Sequence, residues 1–157
     1  MNIKQTKRFL QEYKKACMEL ETLNEEHERI ISSLCSITSD PSRSGGGTMP
    51  SDKVGSGVAL WIDHCKKVDE EIKYYIAVRD EVRSVVRDVM HHNIVWGQCL
   101  HHRYVNGFKP TTVALEMGYD ESNERKIHRN ALDYASKVIE RRGIVQSGPL
   151  LPGLSVV

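Results

Sequence analysis

The chain has 157 residues, of which 27% are charged and 6% aromatic, with a formal net charge of +1. That length suits one domain, or one small domain with an extended element, and so few aromatic side chains argue against a large globular core and for helices packed in pairs. Residues 91–157 hold eight basic and six acidic residues and five of the seven histidines, a basic bias too weak to diagnose nucleic-acid binding by itself.

From Ile3 to Leu34 no glycine or proline intervenes, and Ile3, Thr6, Leu10, Tyr13, Cys17, Leu20, Asn24, His27, Ile31 and Leu34 recur three and four apart. This spacing predicts one long helix with a heptad seam that buries against a partner. The polar Asn24 and His27 either face solvent at the seam edge or fix its register. Residues 36–52 gather serine, proline and the run Gly45-Gly46-Gly47. They read as a flexible linker, and no Gly-Lys-Ser/Thr follows that would make them a phosphate-cradling loop. Ser51 or Asp52 then caps a second long helix ending near Met90, with Val58, Ile62, Cys65, Ile72, Ile76, Val82, Val86 and Val89 on its apolar face and Arg79 intruding. Two such helices joined by a loop are expected to fold back as an antiparallel hairpin over residues 1–90. A two-helix hairpin leaves apolar surface for a second copy, so a homodimer is expected. At the open end Lys4, Lys7 and Arg8 approach Arg79, Arg83 and Arg87, as solvated charge or as extra phosphate contacts.

A third helix is predicted from Asn93 to Tyr104, with Trp96 and Leu100 inward, stopped by Asn106-Gly107. Pro110 suits the first turn of a fourth. Between Pro110 and Arg129 the spacing is that of a helix-turn-helix: Ala114 where two helices touch, Gly118 where the turn needs positive φ, and Val113, Met117, Tyr119 and Ile127 for the core. Asp120 caps the last helix, expected from Glu121 to about Ala135 and on to Arg141, with Gly143 ending it. That helix turns Ser122, Arg125, Lys126 and Arg129 outward, a set suited to base edges and phosphates. Arg125 and Arg129, four apart, are candidates for guanine, and Lys126 for phosphate. Lys109, Thr111 and Thr112, at the start of the preceding helix, are candidates to hold the DNA backbone through free N–H groups. Glu124 stands where such a motif places an apolar residue, so it is expected to meet a cation, Arg103 or Lys109, or to rotate outward. A helix-turn-helix domain for DNA binding is expected over residues 91–142, and the tail 143–157, with its prolines and glycines, is expected to be disordered.

Leu100, Arg103-Tyr104, Gly107, Val113-Ala114, Met117-Gly118-Tyr119, Ile127-His128 and Ala131-Leu132, with Asp52-Lys53-Val54-Gly55 upstream, together resemble the phage-encoded relatives of sigma factor region 4, the RinA-like and ArpU-like late-transcription regulators. The resemblance runs from about residue 2 to about residue 140. It implies an all-α, non-enzymatic regulator of a bacteriophage or prophage that binds double-stranded DNA, works with host RNA polymerase in the bacterial cytoplasm, and needs no metal or cofactor. Within the family pattern His128 is expected to pack or cap rather than touch a base.

The four cysteines lack C-x-x-C spacing and read as reduced thiols. Cys99 with His101 or His102, and the adjacent pairs His64-Cys65 and His91-His92, lack the second ligand pair of a zinc site. No apolar run approaches the ~20 residues that span a bilayer, so a soluble chain is expected. Two alternatives remain from other classes. A small-terminase-like DNA-packaging protein would form a ring, which mass in solution would reveal. An RNA-polymerase-binding module would never grip DNA, and loss of duplex binding with polymerase binding retained would reveal that.

Overall fold

The computed structural model describes residues 1–38 and 52–144, and among these the regular structure is entirely helical. The elements are α1 (Ile3–Thr38), α2 (Asp52–His92), α3 (Ile94–Leu100), a π-helical turn (His101–Val105), α4 (Pro110–Met117) and α5 (Glu121–Arg141). Residues 39–51 and 145–157, which hold most of the expected linker and tail, lie outside the described residues. α1 continues through Thr38 and α2 begins at Asp52, so both helices take in ends of the segment 36–52 expected as linker. No described helix is long and apolar enough to cross a membrane.

α1 lies along α2 with the chain directions opposed. Glu26 meets His64 at 3.3 Å near one end, and Leu10 packs among Val82, Val85, Val86 and Val89 near the other. The α1 seam differs in register from the sequence expectation, while α2 keeps Cys65, Ile72, Val82, Val86 and Val89 of the expected face, with Arg79 intruding as expected. In α1 the stripe follows Thr6, Leu10 and Tyr13, but the next step is three residues to Ala16, and the stripe goes on through Leu20, Leu23, His27 and Ile30, while Asn24 and Ile31 are exposed. Two successive three-residue steps shift the buried face by one residue, because the inward stripe is set by where α2 lies against α1 and not by a strict heptad line. In α2 Trp61, Cys65, Val68, Ile72, Tyr75, Arg79, Val82, Val86 and Val89 form an inward stripe of alternating four- and three-residue steps, joined near its end by the fully buried Val85. The expected Val58, Ile62 and Ile76 are exposed, because one partner helix covers only a narrow stripe of a helix surface.

The corner after α2 is built by Asn93. Its backbone is extended, its N–H donates to Val89 O at 2.8 Å, and its side chain accepts from Trp96 N at 3.1 Å, so one residue ends α2 and caps α3. The corner is tight enough that a Cβ on Gly97 would stand 2.3 Å from Met90 Cα. The third helix does not run as a regular α-helix to Tyr104. Its last five residues widen to π spacing, with Asn106 N–H donating to His101 O at 3.0 Å, five residues back.

One apolar core joins these parts. Leu10 of α1, four valines of α2, Leu100 of α3, and Ala131, Leu132, Ala135, Val138 and Ile139 of α5 form a single buried cluster, with Trp96, Tyr104 and Tyr134 packed at its margin. The long C-terminal half of α5 therefore seats against the start of α1 and the end of α2. Two polar ties reinforce the seat: the Met1 amino group pairs with Glu140, and Arg142 reaches Asp88 and Ser84 on α2.

Candidate nucleic-acid interface

The α4–α5 unit follows from local chemistry. Lys109 stands extended before Pro110, which occupies the first turn of α4 and lacks the N–H that would be unpaired there. Gly118 ends α4 at φ 70°, a left-handed conformation that costs a residue with a Cβ about 1–2 kcal/mol. Two residues later Asp120 accepts from Asn123 N at 2.6 Å and opens α5. Val113 and Ala114 are buried at the crossing, and Met117 and Ile127 are half-buried around it. Tyr119, expected in this core, is instead 36% exposed. Its backbone N–H is committed to Ala114 O at 2.9 Å immediately after the left-handed turn, which leaves its side chain at the margin.

Ser122, Arg125, Lys126 and Arg129 are all exposed on α5, at positions 122, 125/126 and 129, which recur on one face of a helix. Arg125 meets Glu121 at 3.5 Å, an exposed pair one turn apart. Such pairs hold their partners by only ~0.3–0.5 kcal/mol, so Arg125 remains available to a ligand. Lys109 and Thr111 are exposed, and Thr112 is half-buried. The eight residues of α4 span ~12 Å at 1.5 Å per residue, so these three stand at the end of α4 away from the turn that leads to Ser122. The named residues thus fall in two separate groups rather than one cluster.

Beneath that face lies a polar layer that orients α5. Glu124 is fully buried and receives a fork from Arg103, Nε to Oε1 at 2.7 Å and Nη2 to Oε2 at 2.8 Å. Of the two cations named from sequence, Arg103 is therefore the partner. Cys99 Sγ lies 3.5 Å from the same Oε1, and burial, with the Glu124 charge adding to it, pushes the thiol up to about 12. One turn along, His128 is 7% exposed with Nε2 at 3.1 Å from Tyr104 Oη. Burial pushes the phenol of Tyr104 up to about 12. Burial, with Arg103 nearby, holds the imidazole of His128 down at about 4, so it is neutral near pH 7. His128 packs inward and does not reach the outer face.

From the sequence Arg103 was one of two candidate cations for Glu124, and the joint part of Tyr104 and His128 was missed. The signal was present in the numbering. Arg103 and Tyr104 are neighbours, Glu124 and His128 are one turn apart, and the widened π turn lets both neighbours face α5. Among the described residues no group of three or more His, Cys, Asp or Glu side chains is placed to hold a metal ion. Compared with protein-family models, with curated proteins and with solved structures, the chain matches none.

Proposed function

We propose that this chain is a sequence-specific double-stranded-DNA-binding regulator of a phage or prophage, with α4 and α5 as a helix-turn-helix on a helical-hairpin support formed by α1 and α2. The observation that carries the reading is the two-sided construction of α5. Its outer face presents Ser122, Arg125, Lys126 and Arg129, while its inner face is clamped through Glu124 to Arg103. Such a rigid helix with outward arginines and a lysine suits the major groove, where the arginines read guanine and the lysine meets phosphate. Lys109 and Thr111, with the N–H groups of the first turn of α4, would hold the DNA backbone. The sigma-region-4 resemblance adds activation of late genes with host RNA polymerase and a non-enzymatic role.

The test is to select bound fragments from the phage genome with the purified chain, footprint the best one, and repeat the footprint with Arg125→Ala and Arg129→Ala. A discrete site that weakens in both variants is expected. Uniform weak coverage, or a site indifferent to both changes, would end this reading. A second reading, an RNA-polymerase-binding module without DNA contact, draws on the 79% exposure of Leu115 on α4, since a bare leucine there suits a protein surface. Polymerase capture without duplex binding would select it.

A further inference from the structure

A cleft of about 220 Å³ opens between α2 and the π-helical turn, lined by Arg83, Val86, Arg87, Met90, His101 and Val105. Arg83 and Arg87 are one turn apart and therefore neighbours on α2. Neither has a hydrogen-bond or ion-pair partner among the described residues, and the nearby carboxylates of their own helix are engaged elsewhere, Asp80 with Arg79 at 3.4 Å and Asp88 with Arg142. Two like charges so placed repel slightly in the free protein. Across from them stands His101, whose imidazole is held below its usual pKa by burial first, then by His102 and Arg83. It is therefore a neutral group with one N–H to donate. The rest of the lining, Val86, Met90 and Val105, is apolar.

We propose that this cleft binds a phosphate carried on an organic group, with Arg83 and Arg87 forking its oxygens, His101 donating a hydrogen bond, and the carbon skeleton lying on Val86, Met90 and Val105. Paired guanidiniums match the several oxygens of a phosphate, whereas a lone carboxylate offers two oxygens and one charge. A bare inorganic anion leaves the apolar part of the cleft uncovered. The two sources of this chemistry are the sugar-phosphate backbone of a duplex and a free phosphomonoester. The site stands on α2 and the π turn and does not depend on the reading of α5.

The experiment uses the full chain at low salt and follows the His101 ring resonance, assigned by its loss in His101→Gln. Phenyl phosphate, inorganic phosphate, a duplex of arbitrary sequence and a polyglutamate peptide are titrated separately. A saturable shift is expected with phenyl phosphate at lower concentration than with inorganic phosphate. It should weaken by about tenfold or more in Arg83→Gln/Arg87→Gln, which removes two charge-assisted forks. Both side chains are exposed, so the thermal melt of that variant should match the wild type. A duplex response that survives Arg125→Ala/Arg129→Ala but not the Arg83/Arg87 change identifies the backbone as the source. Phenyl phosphate binding without a duplex response identifies a free phosphomonoester. No saturable shift with either phosphate, a shift unchanged by the double substitution, or tighter saturation by polyglutamate overturns the site.

Discussion

Glu124 and Arg103 carry the strongest residue-level expectation. A carboxylate with no exposed surface is tolerated here because both oxygens accept from one guanidinium. Removing one partner leaves the other charge buried, so Glu124→Val should destabilise the fold by ~3–5 kcal/mol in urea unfolding. Replacing both by methionine should recover most of the loss, and a double change as costly as the single would show that the pair is not the cause. His128 makes stability depend on pH. Its folded-state pKa of about 4 lies below the ordinary 6.5, so between those values the unfolded chain binds a proton that the folded chain excludes. Stability should fall as pH drops from about 6.5 to about 4, by ~3 kcal/mol in all, and then level off for this group. His101, also depressed, acts in the same direction. His128→Gln should remove most of the slope in melts taken across that window. On the outer face, Arg125→Ala or Arg129→Ala should each cost ~1–3 kcal/mol of duplex binding and relax base preference. Lys126→Ala should weaken all sequences alike and lower the salt slope by about one unit. Equal behaviour of all three in a binding titration would leave phosphate contact as their shared role.

At the level of elements, the molecule depends on two corners. Gly118 was legible from sequence, because a turn of that length between two amphipathic helices requires a left-handed residue. Gly97 was not. It sits inside a helix and shows its importance only through the proximity of Met90, a contact made by the angle between α2 and α3. Because the clash is with backbone, Gly97→Ala must open that angle. It should cost ~1–3 kcal/mol or more and weaken duplex binding beyond the stability loss, since the π turn that holds α5 follows directly. Normal melting and normal binding together would show that the corner relaxes freely. The seams of α1 and α2 show the same division. Their helical character was plain from the absence of breakers and the three-four spacing. Which residues face inward depended on where the two surfaces met, and this moved Leu23 and Ile30 in and Asn24 and Ile31 out.

For the whole molecule, α1 and α2 bury one another yet leave Met18, Ile31, Val58, Leu60, Ile62 and Ile76 exposed. The proposed dimer would cover part of this surface. Sedimentation at micromolar concentration should give twice the chain mass, and Ile62→Lys should halve it while leaving the melt intact. A charge at the buried seam residue Leu20 would instead disturb the packing of α1 on α2. A wild-type monomer would remove the dimer, and a larger ring would favour the packaging-protein alternative. By itself the sequence determined the helical class, the element boundaries to within a few residues, the capped glycine turn and the outward set on α5. All of these rest on local periodicity and turn chemistry, which residues close in the chain specify together. Only the tertiary structure decided that α5 shares one core with Leu10 and the valines of α2. Likewise only tertiary packing showed that Arg103, and not Lys109, reaches Glu124, and that Arg83, Arg87 and His101 line a common cleft. Those facts depend on the angles at which helices meet, which are set by packing between residues far apart in the chain.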